Sequence, residues 1–472
     1  MGVNREKKLL KNTIIVALGQ IGSKFSVFLL LPLYTSYLSS VEYGTVDLLN
    51  TYISLLLPIV FLQMEQAIFR FLIDNRNNEE EKSILISTVL LTVLMQTVLL
   101  IILFLIVGKF IVNQYKHFFV ANVIASMFSS LLLQTSRGLG DNFTYSLGSI
   151  VSGVGTIILN ILFIVFFKWG AYGMLSATFI ANLLCAIFVF LKLDIPKLFS
   201  FKAWNKTTLK SLWRYSIPLV PNALSWWIIS ASDRTIVSHF LGVGINGIYS
   251  ASNKFSGIIV TLFSIFNMTW TESASMSIND KDSSSYFTNI INTSIKLFST
   301  ICLLFIAIMP FVFSLLITGE SFSGAYYQIP ILIIATLFNI VVSLFGSIYV
   351  ALKKSSEIAK TSIYSAIINI TINLLLINFI GLYAASISSF IAYLSMSVYR
   401  YFDIQKYVKI KIDSKIYLLS LPLAVLLLLT YYNKNFYLNF ILLVITVIFS
   451  LYFNQTIFKS LFSNMLQKFF HR

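Results

Sequence analysis

The stretch LPLYTSYLSSVEYGTVDLL, residues 31–49, interrupts a long apolar run with two serines and a glutamate, and it then places Asp47 inside the next apolar run. A similar stretch, FLGVGINGIYSASNK, recurs at residues 240–254. Ser39 and Glu42 have the spacing of a capping box, which predicts that a helix begins just after the first joint. Capping leaves Asp47 unexplained, because its carboxylate lies beyond the first helical turn.

The composition is that of a helical membrane protein. Of 472 residues, 57% are hydrophobic, 15% aromatic and only 11% charged, which excludes an ordinary soluble globule. A bilayer core about 30 Å thick requires roughly 20 apolar residues per helix, and the chain supplies about fourteen such segments. The predicted spans are 12–35, 44–70, 83–107, 117–136, 144–167, 172–193, 212–238, 245–269, 288–313, 326–350, 358–379, 382–400, 416–432 and 436–456. The predicted fold class is therefore all-α integral membrane.

Membrane topology accounts for most of the net charge of +16. Lysine and arginine fall mainly in alternate joints between the predicted helices, so no nucleic-acid partner is needed to explain them. The basic joints are the amino-terminal segment, 194–211, 353–360, 401–415 and the tail, whereas the opposite joints keep Lys109, Lys116, Lys168 and Lys434. This positive-inside pattern predicts that both termini are cytoplasmic, with the first apolar segment retained as a helix.

An internal repeat of about two hundred residues relates two parts of the chain. A shift of 203 residues aligns residues 37–50 with 240–253. The matched pairs are Leu38 with Leu241, Gly44 with Gly247, Asn50 with Asn253 and, at a shift of 213, Leu139 with Leu352, Ile150 with Ile363 and Asn160 with Asn373. The repeat and the long basic joints predict a six-helix lobe over 1–195, a second over 196–405, and two additional helices with a tail over 406–472.

Charged residues lie in or at the edges of the predicted spans: Lys24, Arg70, Arg234, Lys254, Lys296, Asp47, Glu65, Asp233 and Glu272. A charge at the bilayer centre costs a few kcal/mol, so such residues usually face a wet cavity. Lys24 lies about twelve residues, or about 18 Å, from either end of its span, which is too deep for snorkelling. Arg70, Glu272 and Lys296 lie nearer to the inner ends, where snorkelling explains them equally well.

Some of these charged residues belong to polar stripes, each of which lies along one face of a predicted helix. One consists of Asp47, Thr51, Ser54, Pro58 and Glu65, and the other of Ser250, Lys254, Gly257, Thr261 and Ser264. Their helical spacing predicts that Asp47 and Lys254 face an inner cavity. Asp233 and Arg234 are adjacent in sequence and do not share a helix face, so we expect separate partners for them.

Three segments resemble the Wzx-type polysaccharide exporters: GQIGSKFSVFLLLPLYTSYLSSVEYGTVDLL (19–49), SDRTIV (232–237) and GIYSASNKF (247–255). These exporters belong to the multidrug, oligosaccharidyl-lipid and polysaccharide flippase superfamily. The resemblance implies two pseudo-symmetric six-helix lobes that rock around a central cavity, with two C-terminal helices outside them. It also implies a flippase in the bacterial cytoplasmic membrane, which moves an undecaprenyl-diphosphate-linked oligosaccharide to the outer leaflet for capsule, O-antigen or exopolysaccharide assembly.

The resemblance places Lys24, Arg234 and Lys254 on the cavity wall, where they would bind the diphosphate. Fixed positive charge favours such an anionic substrate over cationic drugs. The other candidates for cavity, gating or ion-coupling roles are Asp47, Glu65, Asp233, Arg70 and Lys296. The coupling ion would be a proton or sodium. Membrane lipids and a polysaccharide polymerase are the further partners implied, and no cofactor is expected.

Two other classes of protein stay open at this point. A cation-coupled multidrug exporter would share the fold and differ in the charge of its cavity. A membrane polymerase or glycosyltransferase would need an acid, base or metal constellation, but the outer joints are short and hold only His117 and His239 as isolated histidines. Cys185 and Cys302 lie inside apolar runs, which indicates packing thiols and no metal site. The prediction is a transporter and not an enzyme.

Overall fold

The computed structural model describes residues 28–110 and 113–455, and all regular structure in these ranges is helical. Contacts divide the chain into two compact units, of which the first ends at Ser250 and the second begins at Ala251. The lobe boundaries at 195 and 405, which follow the sequence repeat, stay a prediction.

The first unit contains ten helices within the described residues. They are α1 (Leu31–Tyr37), α2 (Ser40–Phe61), α3 (Met64–Asp74), α4 (Glu79–Val107), α5 (Lys116–Leu139), α6 (Asn142–Asn160, continued by a π-helical segment Ile161–Phe166), α7 (Gly170–Lys192), α8 (Ile195–Leu198), α9 (Lys206–Ser216) and α10 (Leu219–Leu241). The next helix, α11 (Val243–Ser277), begins in the first unit and continues into the second.

The second unit consists of the rest of α11 and six long helices in its described part. These are α12 (Ser283–Leu316), α13 (Ala325–Ala351), α14 (Ser355–Ile380), α15 (Tyr383–Ile404), α16 (Ser414–Asn433) and α17 (Phe436–Phe453). Helix α15 packs between α13 and α14, whereas α16 and α17 pack against α12.

The apolar side chains of the first unit divide into a packed core and a lipid-compatible surface. Core residues come mainly from α3, α4, α5, α7 and α9, and include Met64, Ile68, Leu72, Val89, Val123, Met127, Val189 and Leu212. On α4 the side chains of Met95, Leu99 and Ile102 are instead exposed. Lipid tails are as apolar as leucine, so close packing of the core, more than exclusion of water, holds these helices together.

The described helices agree with the predicted spans. Ten of them are long and apolar enough to cross a membrane: α2, α4, α5, α6, α7, α12, α13, α14, α16 and α17. The helices α10, α11 and α15 are 23, 35 and 22 residues long, but they lie outside this set and carry more polar residues. Most of the predicted span 12–35 lies outside the described residues. Together with this span, the ten described apolar helices and α10, α11 and α15 correspond to the fourteen predicted spans.

Two predicted spans are each divided in the structure. The span 44–70 becomes α2 and α3, because Leu62 and Gln63 both adopt left-handed backbone conformations, with φ of 53° and 54°. Neither residue is a glycine or a proline, so these two positions themselves do not indicate the break, although Pro58, four residues before Leu62, is of the type that bends helices. The span 212–238 is divided into α9 and α10 next to Pro218, which cannot donate a helical hydrogen bond.

A polar ladder on α12 holds the segment that leads into α16. The ladder residues recur every fourth position and face the extended chain 409–413. Their contacts are Ser284 Oγ to the Lys409 carbonyl, the Lys411 N–H to Thr288 Oγ1 at 3.3 Å, Asn292 Nδ2 to the Lys411 carbonyl at 2.8 Å, the Asp413 N–H to Asn292 Oδ1 at 3.0 Å, and Lys296 Nζ to Asp413 Oδ2 at 3.4 Å. The ladder therefore fixes the two C-terminal helices to α12.

Acid is expected to weaken this attachment through Asp413. The Lys415 N–H, which Asp413 accepts as the cap of α16, and then Lys296 together hold the pKa of Asp413 below its usual range. Because the folded-state pKa lies below the unfolded value of about 3.9, the contribution of this charge is full above that value and is lost as the pH falls through the folded pKa. Asp413→Asn keeps a capping oxygen but removes the charge, so its melting temperature in detergent should fall less between pH 5 and pH 3.

The exposed Asp280 provides the control for this experiment, because Asp280→Asn removes a carboxylate that is outside the ladder. If the melting temperatures of the native protein and Asp413→Asn fell by the same amount between pH 5 and pH 3, the assigned role of the charge would be contradicted.

Candidate functional site

One face of α2 contacts α10 and the first turns of α11, and these contacts form the seam of the first unit. The α2 residues in the seam are Gly44, Asp47 and Thr51, spaced so that they share one helix face. Thr51 accepts a hydrogen bond at its carbonyl oxygen from Trp227 Nε1, at 2.8 Å. The seam therefore joins residues that are about two hundred positions apart in the sequence.

The seam is narrowest where Gly44 meets Gly247. A Cβ atom added to Gly44 would lie 2.1 Å from the Val243 carbonyl oxygen, and one added to Gly247 would lie 2.0 Å from the Ser40 carbonyl oxygen. Asn246 Nδ2 also donates to the Gly44 carbonyl oxygen at 3.1 Å. The two glycines that the internal repeat aligns are thus in direct backbone contact, and neither position has room for a side chain.

Asp47 forms an ion pair with Arg234 across the seam. The distance from Arg234 Nε to Asp47 Oδ2 is 3.2 Å. The side chain of Asp47 is only 8% exposed, whereas that of Arg234 is 23% exposed. This pair explains why a carboxylate follows the first joint: it compensates the charge of an arginine on α10 within the apolar part of the chain.

Asp233 and Arg234 have different partners, in keeping with their adjacency in sequence. Asp233 is buried and accepts a hydrogen bond at Oδ2 from the hydroxyl of Tyr249, at 3.1 Å. The two buried carboxylates of the first unit's seam region, Asp47 and Asp233, thus contact different groups: Asp47 contacts Arg234, and Asp233 contacts Tyr249.

Lys254 belongs to the second unit, and Lys24 lies outside the described residues. Lys254 is half-buried on α11. On the opposite face of this helix Phe255 and Ile259 are fully buried, whereas a Cβ atom on Gly257 would meet no other atom within 4 Å. The polar stripe thus follows the less crowded side of α11.

The remaining candidates have local surroundings of their own. Glu65 is buried in the first turn of α3, and its Oε2 has no hydrogen-bond partner among the described residues. Arg70 is exposed and pairs with Asp74 at 2.6 Å, one helical turn away. Lys296 belongs to the ladder that holds Asp413, and its Nζ also lies 5.5 Å from the centre of the Phe453 ring. A cavity or gating role for these three residues stays a prediction.

The burial of Arg400 was not predicted from the sequence. Arg400 marks the end of a predicted span and counts there as a basic residue of an inner joint, but α15 continues for one more turn and Arg400 is only 2% exposed. It donates from Nη1 to the Val342 carbonyl oxygen at 2.8 Å, and from Nε and Nη2 to Thr361 Oγ1 at 3.0 and 2.7 Å. Arg400 therefore links α13, α14 and α15, and no described carboxylate lies within ion-pair distance of it.

An apolar cavity of about 720 Å³ lies within the second unit. It is bounded by α12, α13, α15 and α16, and its walls include Ile306, Phe338, Phe345, Leu394, Leu421 and Val425. Such a lining suits a hydrocarbon chain, because it offers little hydrogen bonding to a polar ligand. Within residues 28–110 and 113–455, no three His, Cys, Asp or Glu residues are grouped to hold a metal ion.

Solved structures of membrane transporters share this fold. The lipid II flippase MurJ in an inward closed conformation has a TM-score of 0.70 and 16% identity, over 95% of this chain and 100% of that one. An inward-facing multidrug resistance MATE transporter of the MOP superfamily has a TM-score of 0.68 and 13% identity, over 84% and 98%. A MOP superfamily transporter from Pyrococcus furiosus, described as having a binding pocket of reverse polarity, has a TM-score of 0.58 and 13% identity, over 84% and 95%.

The chain thus shares the fold of these membrane transporters, and the ten apolar helices of membrane-spanning length in its described part indicate a multi-pass membrane protein. The chain belongs to the polysaccharide biosynthesis protein family, whose model matches residues 9–271, more than half of its length. No individual curated protein matches the chain in sequence.

Proposed function

We propose that this protein is a flippase for an undecaprenyl-diphosphate-linked oligosaccharide, which it moves across the bacterial cytoplasmic membrane by alternating access. The product would supply capsule, O-antigen or exopolysaccharide assembly. The proposal rests on the position of Arg234. This charged residue lies on a helix of a membrane protein and is largely buried, yet 23% of its side chain is exposed. A membrane protein keeps such a charge chiefly where a ligand or a wet space uses it.

The chemistry of arginine suits a diphosphate. The planar guanidinium offers paired donors that match two phosphate oxygens, and the interaction is strongest where water is scarce. The sequence predicts Lys24 and Lys254 as further bases for the head group. In this proposal the sugars follow the polar stripe around Lys254, and the polyprenyl chain uses apolar surface such as the cavity beside α16.

The carboxylates have a separate place in the proposal. Asp47, Glu65 and Asp233 would tune the bases or bind the coupling ion, a proton or sodium. Both termini would be cytoplasmic, as the distribution of lysine and arginine predicts. A polysaccharide polymerase would receive the product on the outer side.

Depleting the protein in its host tests this function. We expect the lipid-linked oligosaccharide to accumulate on the inner leaflet and the surface polymer to disappear, because the proposed translocation is the step that removes the precursor from that leaflet. The precursor would be quantified by mass spectrometry of extracted lipids. Normal polymer after complete depletion would contradict the proposed function.

Lys24→Ala and Lys254→Ala are each expected to abolish export without lowering the amount of protein in the membrane, because each removes one of the proposed head-group cations. Export would be scored as surface polymer in the depleted strain, with protein level measured by immunoblot. Lys281→Ala, which removes an exposed basic residue between α11 and α12, is the matched control. Normal export by both variants would remove these two lysines from the site.

A further inference from the structure

The ion pair in the seam is asymmetric in its access to ligand. The side chain of Asp47 is 8% exposed and that of Arg234 is 23% exposed, so part of the arginine side chain is accessible while the carboxylate, and the arginine Nε that faces it, are covered. Any anion that binds Arg234 must therefore compete with Asp47. The competition involves charge, because both anions would be neutralised by the same guanidinium.

Asp47 is a strong competitor for singly charged anions. Being fixed on α2, it acts at a high effective concentration, on the order of millimolar or above. The phosphodiester of an ordinary membrane lipid carries one negative charge, as Asp47 does, and gains nothing by replacing it. A diphosphate ester carries about two negative charges and offers several oxygens to the guanidinium fork, so it can displace the carboxylate.

We propose that Asp47 determines the selectivity of the head-group site: it occupies Arg234 until a diphosphate displaces it, and this displacement loosens the seam that α2 forms with α10 and the first turns of α11. The inference rests on the proposed function. Beyond the ion pair, the seam includes two hydrogen bonds to backbone carbonyls and the close contact of Gly44 with Gly247, so the binding of the diphosphate has to drive its loosening. Selection of the diphosphate and opening of the seam are then one event.

Cross-linking across the seam tests this inference. A Cβ atom on Gly244 would lie 3.5 Å from Ser40 Oγ, so the pair Ser40→Cys and Gly244→Cys is placed to form a disulfide. The native Cys185 and Cys302 are buried and do not compete for the oxidant. The rate of disulfide formation would be measured in nanodiscs that contain either added undecaprenyl diphosphate or added phosphatidylglycerol.

We expect undecaprenyl diphosphate to slow cross-linking about fivefold or more, which is the range of a typical coupling between two sites, and phosphatidylglycerol to have no effect. In Asp47→Asn, cross-linking should already be slow and the two lipids should act alike. Asp47→Glu retains the carboxylate and should restore the selectivity, which a merely structural role of Asp47 would not require. Gel filtration checks the fold of each variant.

Equal responses to the two lipids with native Asp47 would overturn the inference, and so would unchanged selectivity in Asp47→Asn. The proposed function fails separately, if the native protein does not translocate the complete lipid-linked oligosaccharide. Translocation by the native protein together with a seam that ignores both lipids would remove only the role of Asp47.

Discussion

Replacing Arg234 with glutamine is expected to reduce translocation of the lipid-linked oligosaccharide about a hundredfold, because the loss of hydrogen bonds to a charged group costs up to about 3 kcal/mol. The side chain of glutamine retains a donor but no positive charge. The measurement is the initial rate of glycan translocation in vesicles, divided by the amount of folded protein. The protein itself should remain in the membrane.

Removing Arg234 also leaves Asp47 without this partner, and that could lower stability by itself. The double variant Asp47→Asn with Arg234→Gln separates the two effects, since it leaves neither charge of the pair. We expect the double variant to recover the melting temperature but not the translocation rate. Arg234→Lys keeps the positive charge but loses the paired donors of the guanidinium, so its translocation rate should lie between those of the native protein and Arg234→Gln. A native rate in Arg234→Gln would contradict the role of this residue.

Adding a single methyl group to the seam is expected to have the second largest effect. In Gly44→Ala or Gly247→Ala the new Cβ atom would overlap a backbone carbonyl oxygen at 2.1 or 2.0 Å, and backbone atoms of two packed helices cannot move aside as a side chain can. Overpacking of this kind costs about 1–3 kcal/mol. We expect a lower melting temperature and loss of translocation, because the helices must separate at their closest point.

Gly257→Ala is the matched control for this prediction. Gly257 lies on α11, as Gly247 does, but a Cβ atom there would meet nothing within 4 Å. Because Gly257 belongs to the polar stripe, the control applies to stability only: its melting temperature should be unchanged or slightly higher, since alanine favours the helix over glycine by about 1 kcal/mol. If Gly247→Ala behaved like Gly257→Ala, the close approach of α2 and α11 would not be a constraint in the protein.

The helices could be predicted from the sequence because each one must satisfy its backbone hydrogen bonds within the bilayer. Long apolar segments such as α4 and α12 are therefore evident from length alone. The position of the break at Leu62 and Gln63 could not be predicted in this way, since both residues adopt left-handed conformations although neither is a glycine or a proline. The continuation of α15 beyond Arg400, to Ile404, could not be predicted for a related reason, because the boundary of a span is uncertain by about one turn.

The sequence drew attention to Asp47, Arg234 and the aligned glycines Gly44 and Gly247, but it did not indicate which of these residues contact one another. Helical spacing predicts that Asp47 faces an inner cavity, and the internal repeat aligns Gly44 with Gly247. Neither pattern indicates that Asp47 meets Arg234 or that the two glycines touch, because such contacts depend on how helices far apart in sequence pack together. The ladder that holds Lys296 has the same origin: its partner is an extended segment with no periodicity of its own.

The most direct test of the flippase account uses proteoliposomes with the purified protein and the lipid-linked oligosaccharide of its host. Glycan that becomes accessible across the bilayer would be scored with and without an imposed proton or sodium gradient. The account predicts transfer that depends on the protein and is lost in Arg234→Gln, and dependence on one gradient would identify the coupling ion. No transfer of the correct glycan lipid by a folded protein would contradict the account and favour the multidrug exporter.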